Sequence, residues 1–345
     1  MGRFVVPAIC AAILAAGFAC SGGIIRPFFE NETDAAVFQI EQFNIPVLPK
    51  DAGVYQFWLA AGETRIPLYQ FVVAGTTLWP PEYLDLEDPA NPPPGMTNLG
   101  TLTRTESTID LPEGVVKSAI DTVFLTLEPK AEDDGEMGQV LLAGRVNIRG
   151  RSNLTLDTQN AYGGLPDVFS GSGTAMLAAP TYVPTGEPDE VIPFFRGFWF
   201  VKTPEEGGAP IPGLVLPDLT PFESWTYQGW AYKANPEDET QSILLDLGRF
   251  DNPAAPDLDG AGSSAGEGTP YAAPGSDFIN FLPEVDFREA GWQFYITVEP
   301  EPDNDESGFA WQILEATVPA NATAETLITM DKFTGNQPFG IARIL

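Results

Sequence analysis

Short stretches that alternate between apolar and polar residues are the main pattern along this 345-residue chain. The segment VFLTLEP, residues 123–129, places three aliphatic side chains on one side of an extended backbone and three other side chains on the opposite side. FYITVEP, residues 294–300, alternates in the same way. Period-two alternation predicts half-buried antiparallel strands. Pro129 and Pro300 then end these strands, because proline cannot donate to the ladder.

Similar runs recur throughout the chain, separated by turns rich in glycine and proline. The sequence contains 34 Gly and 33 Pro, and no long stretch keeps a helical spacing of apolar residues between capping residues. Many short strands joined by such turns are typical of β-sandwiches. The pattern therefore predicts an all-β protein.

One aromatic phrase occurs twice. YQFW begins at Tyr55 and YQGW begins at Tyr227, 172 residues later. Glu128 and Glu299, in the TLEP and TVEP segments, are 171 residues apart. Three further pairs of similar segments keep this offset to within about three residues, and such constant spacing indicates one unit present twice. The signature residues are Tyr55, Gln56, Trp58, Thr126, Glu128 and Pro129 in the first copy, and Tyr227, Gln228, Trp230, Thr297, Glu299 and Pro300 in the second.

The first residues read as an export signal. Arg3 precedes an apolar run, residues 4–18, that is shorter than the roughly 20 residues a membrane-spanning helix needs. Ala19 then precedes Cys20, as in a bacterial lipobox, although Gly17 stands where that box usually has leucine. We therefore predict lipidation of Cys20. An ordinary secretory signal cut nearby is the alternative.

These features predict two tandem antiparallel β-sandwich (Ig-like) domains after a signal peptide. The signal peptide covers residues 1–19 and a lipidated tether covers residues 20–34. The first β-sandwich covers residues 35–165, and the second, homologous to it, covers residues 166–345. Thr158–Gly173 has the composition of a linker.

The repeated pattern resembles the extracytoplasmic C-terminal domain of anti-sigma-K-type factors, in which a Tyr-x-x-Trp segment and a Thr-x-Glu-Pro strand recur. The resemblance covers about half of each repeat and implies a β-sandwich outside the cytoplasm. Those factors also carry a cytosolic sigma-binding domain and a transmembrane helix before this module. This sequence shows neither, so the resemblance does not imply anti-sigma activity.

The strongly negative net charge argues against one class of partner, nucleic acids. The formal net charge is −31, which repels phosphate backbones and argues against nucleic-acid binding.

Two acidic turns are candidate calcium-binding sites. Asp303 and Asp305 begin an EF-hand-like spacing, but Leu314 stands where a bidentate Glu is required. Asp133 and Asp134 lie in the matching turn of the first copy. Either turn could bind Ca²⁺ or simply be solvated, and no other cofactor is predicted.

Catalytic chemistry finds little support in the residue types present. The chain has no histidine, so the GSSAG segment around Ser264 lacks the base that a nucleophilic serine needs. Histidine-dependent zinc sites are excluded for the same reason. The seven Trp residues could form a sugar-binding platform, but the repeated Trp58 and Trp230 are predicted to be core. We predict no enzymatic activity; a hydrolase that uses a carboxylate pair is a third alternative.

The sequence thus predicts a non-catalytic bacterial lipoprotein, tethered on the extracytoplasmic side of the cell envelope, at the outer membrane or cell surface. Its partners are the membrane, through the N-terminal lipid, and an envelope protein or polysaccharide. A carbohydrate-binding or calcium-dependent adhesive lipoprotein is the alternative function.

Overall fold

A computed structural model describes residues 35–48, 53–86, 88–89, 91–128, 136–156, 162, 164–187, 190–203, 208–222, 225–237, 241–258, 273–280, 285–301, 311–324, 326–333 and 337–345. Throughout these residues the chain is all-β, as the alternation predicted. Its helical turns within them are short 3-10 helices at Pro81–Asp85, Lys117–Ala119, Val168–Ser170 and Phe194–Arg196.

The strands are numbered in chain order. They are β1 (Ala35–Asn44), β2 (Val54–Ala61), β3 (Thr64–Ala74), β4 (Thr77–Trp79), β5 (Gly100–Thr101), β6 (Thr105–Asp110), β7 (Thr122–Glu128), β8 (Gln139–Arg145), β9 (Arg151–Leu154), β10 (Gly173–Leu177), β11 (Phe198–Trp199), β12 (Val201–Lys202), β13 (Ile211–Pro212), β14 (Trp225–Lys233), β15 (Ile243–Phe250), β16 (Trp292–Pro300), β17 (Trp311–Thr317), β18 (Leu327–Lys332) and β19 (Phe339–Ile344).

These strands form antiparallel sheets. The three larger sheets have the orders β6-β1-β19-β9, β5-β4-β3-β2-β7-β8 and β11-β10-β18-β17-β16-β14-β15, and β12 pairs with β13 in a small hairpin. Two antiparallel bridges, Ala143 to Thr155 and Val146 to Ser152, join β8 to β9 and so connect the first two sheets.

The same strand order therefore occurs twice. We call residues 35–156 together with β19 the first unit, and residues 172–332 the second unit. In the first unit the order runs β1-β19-β9-β8-β7-β2-β3. In the second unit it runs β11-β10-β18-β17-β16-β14-β15. Each of these seven strands thus has a counterpart in the other unit, and β19 takes the place that β10 takes in the second unit.

The two closing strands, β10 and β19, share a short sequence pattern. Gly173, Ala175 and Leu177 of β10 correspond to Gly340, Ala342 and Ile344 of β19. Neither glycine has room for a side chain. A Cβ on Gly340 would lie 2.3 Å from the Phe43 ring, and one on Gly173 would lie 2.8 Å from Leu214. Phe43 and Leu214 are 171 residues apart, so the repeat extends to these packing contacts.

The units differ where β1 bulges. The β1–β19 register shifts between Ile40 and Gln42, so that Glu41 bulges out of the ladder. Its carboxylate pairs with Arg343 Nη2 at 2.6 Å and with Arg151 Nε at 3.1 Å. In the second unit the counterpart of β1 is split, and the paired strands β12 and β13 lie at the position of the bulge. An insertion at one bulged residue therefore accounts for this difference.

The alternation along β7 is borne out by packing. Val123, Leu125 and Leu127 belong to the main cluster of buried apolar side chains, whereas Phe124 packs on the opposite face with Trp58. The main cluster includes buried residues from both units. The hydrophobic interior is therefore continuous between them.

The region between the units differs from an exposed linker. Within the predicted linker Thr158–Gly173, Val168 and Phe169 are completely buried. The predicted boundary between residues 165 and 166 remains a prediction. The pairing of β19 with β1 and β9 is a connection across it that the sequence pattern did not predict.

Candidate functional site

Three signature residues of the first unit meet in one buried polar cluster. The register of β2 and β3 shifts between Gln56 and Trp58, and Trp58 pairs with Phe124 of β7 on the other side. The Trp58 Nε1 donates to Thr126 Oγ1 and to Glu128 Oε1, each at 3.0 Å. The Thr126 hydroxyl also donates to the Glu128 carboxylate. Trp58 and Glu128 are 1% and 4% exposed, so solvent does not replace these bonds.

Glu128 also binds the backbone just before β8. The backbone N–H of Gly138 donates to Glu128 Oε1 at 3.0 Å and to Oε2 at 2.9 Å. A Cβ on Gly138 would lie 2.4 Å from Glu128 Oε2, so this position has no room for a side chain. The buried carboxylate thus joins β7 to the start of β8.

The second unit repeats the arrangement. Register shifts fall at the same places, between Gln228 and Trp230 on β14 and between Ile296 and Thr297 on β16. Trp230 Nε1 donates to Thr297 Oγ1 at 2.9 Å. Glu299, the counterpart of Glu128, is 1% exposed. The Trp–Thr hydrogen bond and the burial of the glutamate are therefore common to both units.

The repeated tyrosines form a second shared contact. The Tyr55 hydroxyl donates to the carbonyl oxygen of Pro46 at 3.1 Å, and the Tyr227 hydroxyl donates to that of Pro217 at 3.0 Å. Burial raises the pKa of both tyrosines well above its ordinary value. These bonds hold the segment before each central strand against the core.

The shared polar contacts lie inside the units, where they hold strands together. Tyr55, Trp58 and Thr126 are almost completely buried, as are Tyr227, Trp230 and Thr297. A ligand cannot reach groups at this depth without unfolding the sheet around them. The signature residues therefore act in folding, and a binding function has to use other side chains.

We expect the protein to unfold as the pH rises above about 10, where tyrosine ionises in an unfolded chain. Tyr55, Tyr69 and Tyr227 have raised pKa values, because burial disfavours the phenolate. The stabilisation from keeping them neutral is complete below the unfolded pKa and is lost above it. Tyrosinate absorbance from these residues should appear together with the loss of β-sheet circular dichroism. Their ionisation in a protein that is still folded would contradict this expectation.

Several predicted site residues lie outside the described residues. These are the lipidation candidate Cys20, the strand-ending Pro129, and the acidic residues Asp133, Asp134, Asp303 and Asp305. Pro300 is the last residue of β16 and pairs with Trp225. Within the part of the chain that is described, no group of three or more acidic, Cys or His residues is arranged to hold a metal ion.

The Trp residues do not line up on a surface. Five of the seven are buried, namely Trp58, Trp225, Trp230, Trp292 and Trp311. Trp79 is half-buried and stacks on Tyr83, with ring centroids 4.7 Å apart. The Trp79 and Tyr83 rings therefore each cover one face of the other.

An open slot in the first unit was not predicted. It lies between Pro67–Tyr69 of β3 and Glu106–Asp110 of β6, with Leu99 beside them, and has a volume of about 600 Å³. β4 pairs only with Val72–Ala74, so the earlier part of β3 has no strand on this side among the described residues. We call this cavity the β3–β6 slot.

The slot combines apolar, polar and acidic groups. Leu68, Tyr69, Leu99 and Ile109 are partly buried and pack against the main core. The hydroxyls of Tyr69 and Ser107 are buried, and neither has a hydrogen-bond partner of normal geometry. Burial raises the pKa of Tyr69 far above its ordinary value, and the nearby Ser107 hydroxyl lowers it slightly. The lining of the slot is therefore mixed, with Leu68 and Ile109 beside polar residues, of which Tyr69 and Ser107 have buried hydroxyls.

Comparison with known proteins adds no family assignment. The chain matches no protein-family model, no curated protein and no solved structure. In the described residues, no helix is both long enough and apolar enough to cross a bilayer. The geometry of the chain itself is thus the basis for any functional proposal.

Proposed function

We propose that this protein is a non-catalytic, lipid-anchored binding protein on the extracytoplasmic side of a bacterial envelope. In this proposal its two units are homologous β-sandwiches of the anti-sigma-factor-like type, and Cys20 carries the lipid. The observation that supports it is the burial of every repeated contact. Because Trp58, Glu128 and their counterparts serve the interior, binding has to use the surfaces on which the units differ.

The alternative, a carbohydrate-binding or calcium-dependent adhesive lipoprotein, lacks a comparable observation. The buried Trp residues leave few aromatic faces for a sugar ring to stack on. Co-sedimentation of the purified protein with insoluble envelope polysaccharide, with and without millimolar calcium, distinguishes the two functions. Saturable, calcium-dependent sedimentation would favour the adhesive function over the proposed one.

The proposed lipid anchor is tested by replacing Cys20, whose sulfur would carry the lipid. In cells given a labelled fatty acid, we expect Cys20→Ser to lose the label and to leave the detergent phase after phase separation, because the thioether is the attachment point. Cys10→Ser is the matched control, because Cys10 lies in the predicted signal peptide. Cys10→Ser should keep the fatty-acid label and remain in the detergent phase. Equal labelling of Cys20→Ser and the wild type would exclude the proposed anchor.

A further inference from the structure

The second unit shows what fills a slot of this kind. In the first unit Tyr55 pairs with Phe71 and Gln56 with Gln70; in the second, Tyr227 pairs with Phe250 and Gln228 with Arg249. This shared register aligns Tyr69 with Gly248 and Gln70 with Arg249. The counterpart of β6 is residues 274–279, which hydrogen-bond to Arg196 and Phe200, on either side of β11, the strand equivalent to β1. The position of the slot can therefore be located in both units.

In the second unit the chain itself occupies this position. The N–H of Leu258 donates to the carbonyl oxygen of Arg249 at 2.6 Å. On the other side, the N–H of Gly275 donates to Asp257 Oδ2 at 3.0 Å. Asp257 is 9% exposed, and its side chain lies 3.0 Å from where a Cβ on Gly248 would be. Two consecutive residues thus bridge the edges that are apart in the first unit.

A difference in strand length explains why the first unit stays open. β15 ends at Phe250, and the chain returns at once beside Gly248 and Arg249. β3 continues to Ala74, and its return strand β4 pairs only with Val72–Ala74. The returning chain is therefore displaced along β3 and does not cover Pro67–Tyr69. Among the described residues, the first unit retains the two edges and has no segment between them.

We propose that the β3–β6 slot binds an extended, cationic segment of a partner protein by strand addition. This inference rests on the proposed function as a binding protein and names the chemistry of its partner. Strand addition uses main-chain hydrogen bonds for affinity and pockets for alternate side chains for specificity. The carbonyl of Gln70 is the counterpart of the Arg249 carbonyl that accepts from Leu258 in the second unit.

The lining of the slot defines the side chains of this segment. Pro67 has no N–H, so most of the main-chain pairing falls on the edge of β6. Apolar side chains fit against Leu68 and Ile109, which are partly buried. Glu106 and Asp110 are exposed on the outer face of β6, where basic residues would alternate with the apolar ones. The net charge of −31 adds long-range attraction for such a segment.

The test uses the purified full chain and a labelled peptide, acetyl-Lys-Val-Lys-Ile-Lys-Val-Lys-amide. We expect saturable binding and slower hydrogen exchange at the amides of Ser107–Asp110. The double variant Glu106→Lys/Asp110→Lys should weaken binding by about tenfold or more, because two attractive charges become repulsive. Replacing the central Ile of the peptide by Pro should abolish binding, because it removes a main-chain donor and breaks the extended pairing.

The matched control is the double variant Glu82→Lys/Glu113→Lys, which changes the net charge equally at exposed positions outside the slot. It should bind within about twofold of the wild type. The proposal is overturned if both double variants weaken binding alike, if the proline peptide binds as well as the parent, or if no peptide binds. Self-association of the protein through Ser107–Asp110 would overturn it in favour of a second copy. None of these outcomes alters the Cys20 test of the anchor.

Discussion

Deletion of residues 338–345 is expected to unfold the first unit. These residues contain β19, which pairs with β1 on one side and β9 on the other, so its loss exposes two new edges. Ala342 is completely buried and Ile344 is 5% exposed. Removing one such aliphatic side chain costs about 2–5 kcal/mol, and the deletion also removes both ladders. Urea unfolding followed by circular dichroism should show the loss of a large part of the folded signal before denaturant is added.

A graded series separates this effect from a general loss of stability. Ile344→Ala should lower the free energy of unfolding by about 2–5 kcal/mol while the structure is retained. Adding the nonapeptide QPFGIARIL, residues 337–345, to the deleted protein should restore part of the signal. If amides of β1 and β9 stay protected from hydrogen exchange in the deleted protein, β19 is not required to complete the first unit.

Glu128→Ala is expected to give the second large effect. The substitution removes the acceptor of the Gly138 N–H, and the Trp58 indole N–H and the Thr126 hydroxyl each lose one of two acceptors. Each unsatisfied buried group costs about 1–3 kcal/mol, so the free energy of unfolding should fall by roughly 2–3 kcal/mol. Equilibrium urea denaturation monitored by Trp fluorescence measures this loss.

Two further variants show whether burial causes the effect. Glu113→Ala removes a carboxylate at an exposed position and should change stability by less than about 0.5 kcal/mol. Thr126→Val keeps the shape but removes one acceptor of the Trp58 N–H, so it should fall between the other two. A Glu128→Ala variant as stable as Glu113→Ala would show that the buried carboxylate does not stabilise the first unit.

The all-β class and the interior of each unit could be predicted, because they depend on local pattern. Alternation assigned Phe124 and Leu125 to opposite faces of β7, and the packing confirms this. The constant spacing of Trp58 and Trp230 predicted two buried counterparts, and both are almost completely buried. Such regularities repeat every second residue or every unit, and a single sequence displays them directly.

The partner of the last strand could not be predicted in this way. Gly340 and Gly173 share a Gly-x-Ala-x-aliphatic pattern, but they are 167 residues apart, whereas the signature residues are 171–172 apart. In the sequence alone, the spacing of 167 residues differs only slightly from the repeat spacing of 171–172 residues. In the folded chain it reflects a strand that pairs across about 300 residues, from Phe43 to Gly340. Pairing between distant segments leaves no periodic trace along the chain.

The slot was missed for a related reason. It arises from a strand that is a few residues longer in one unit than in its counterpart, so that β4 returns beside Val72 rather than beside Tyr69. Composition and alternation are unchanged by such a shift. The sequence did carry one signal, namely that Gly248 of the second unit stands at the position of Tyr69 in the first. A glycine there lets Asp257 approach closely, whereas a tyrosine does not.

The position of β19 has a consequence for the order in which the molecule forms. Every strand of the second unit lies in one continuous stretch, residues 173–332. Most of the first unit is made first, yet it lacks an interior strand until residue 344 has been made. The half nearest the start of the chain is therefore the last to close, and until then β1 and β9 leave unpaired edges exposed to other chains.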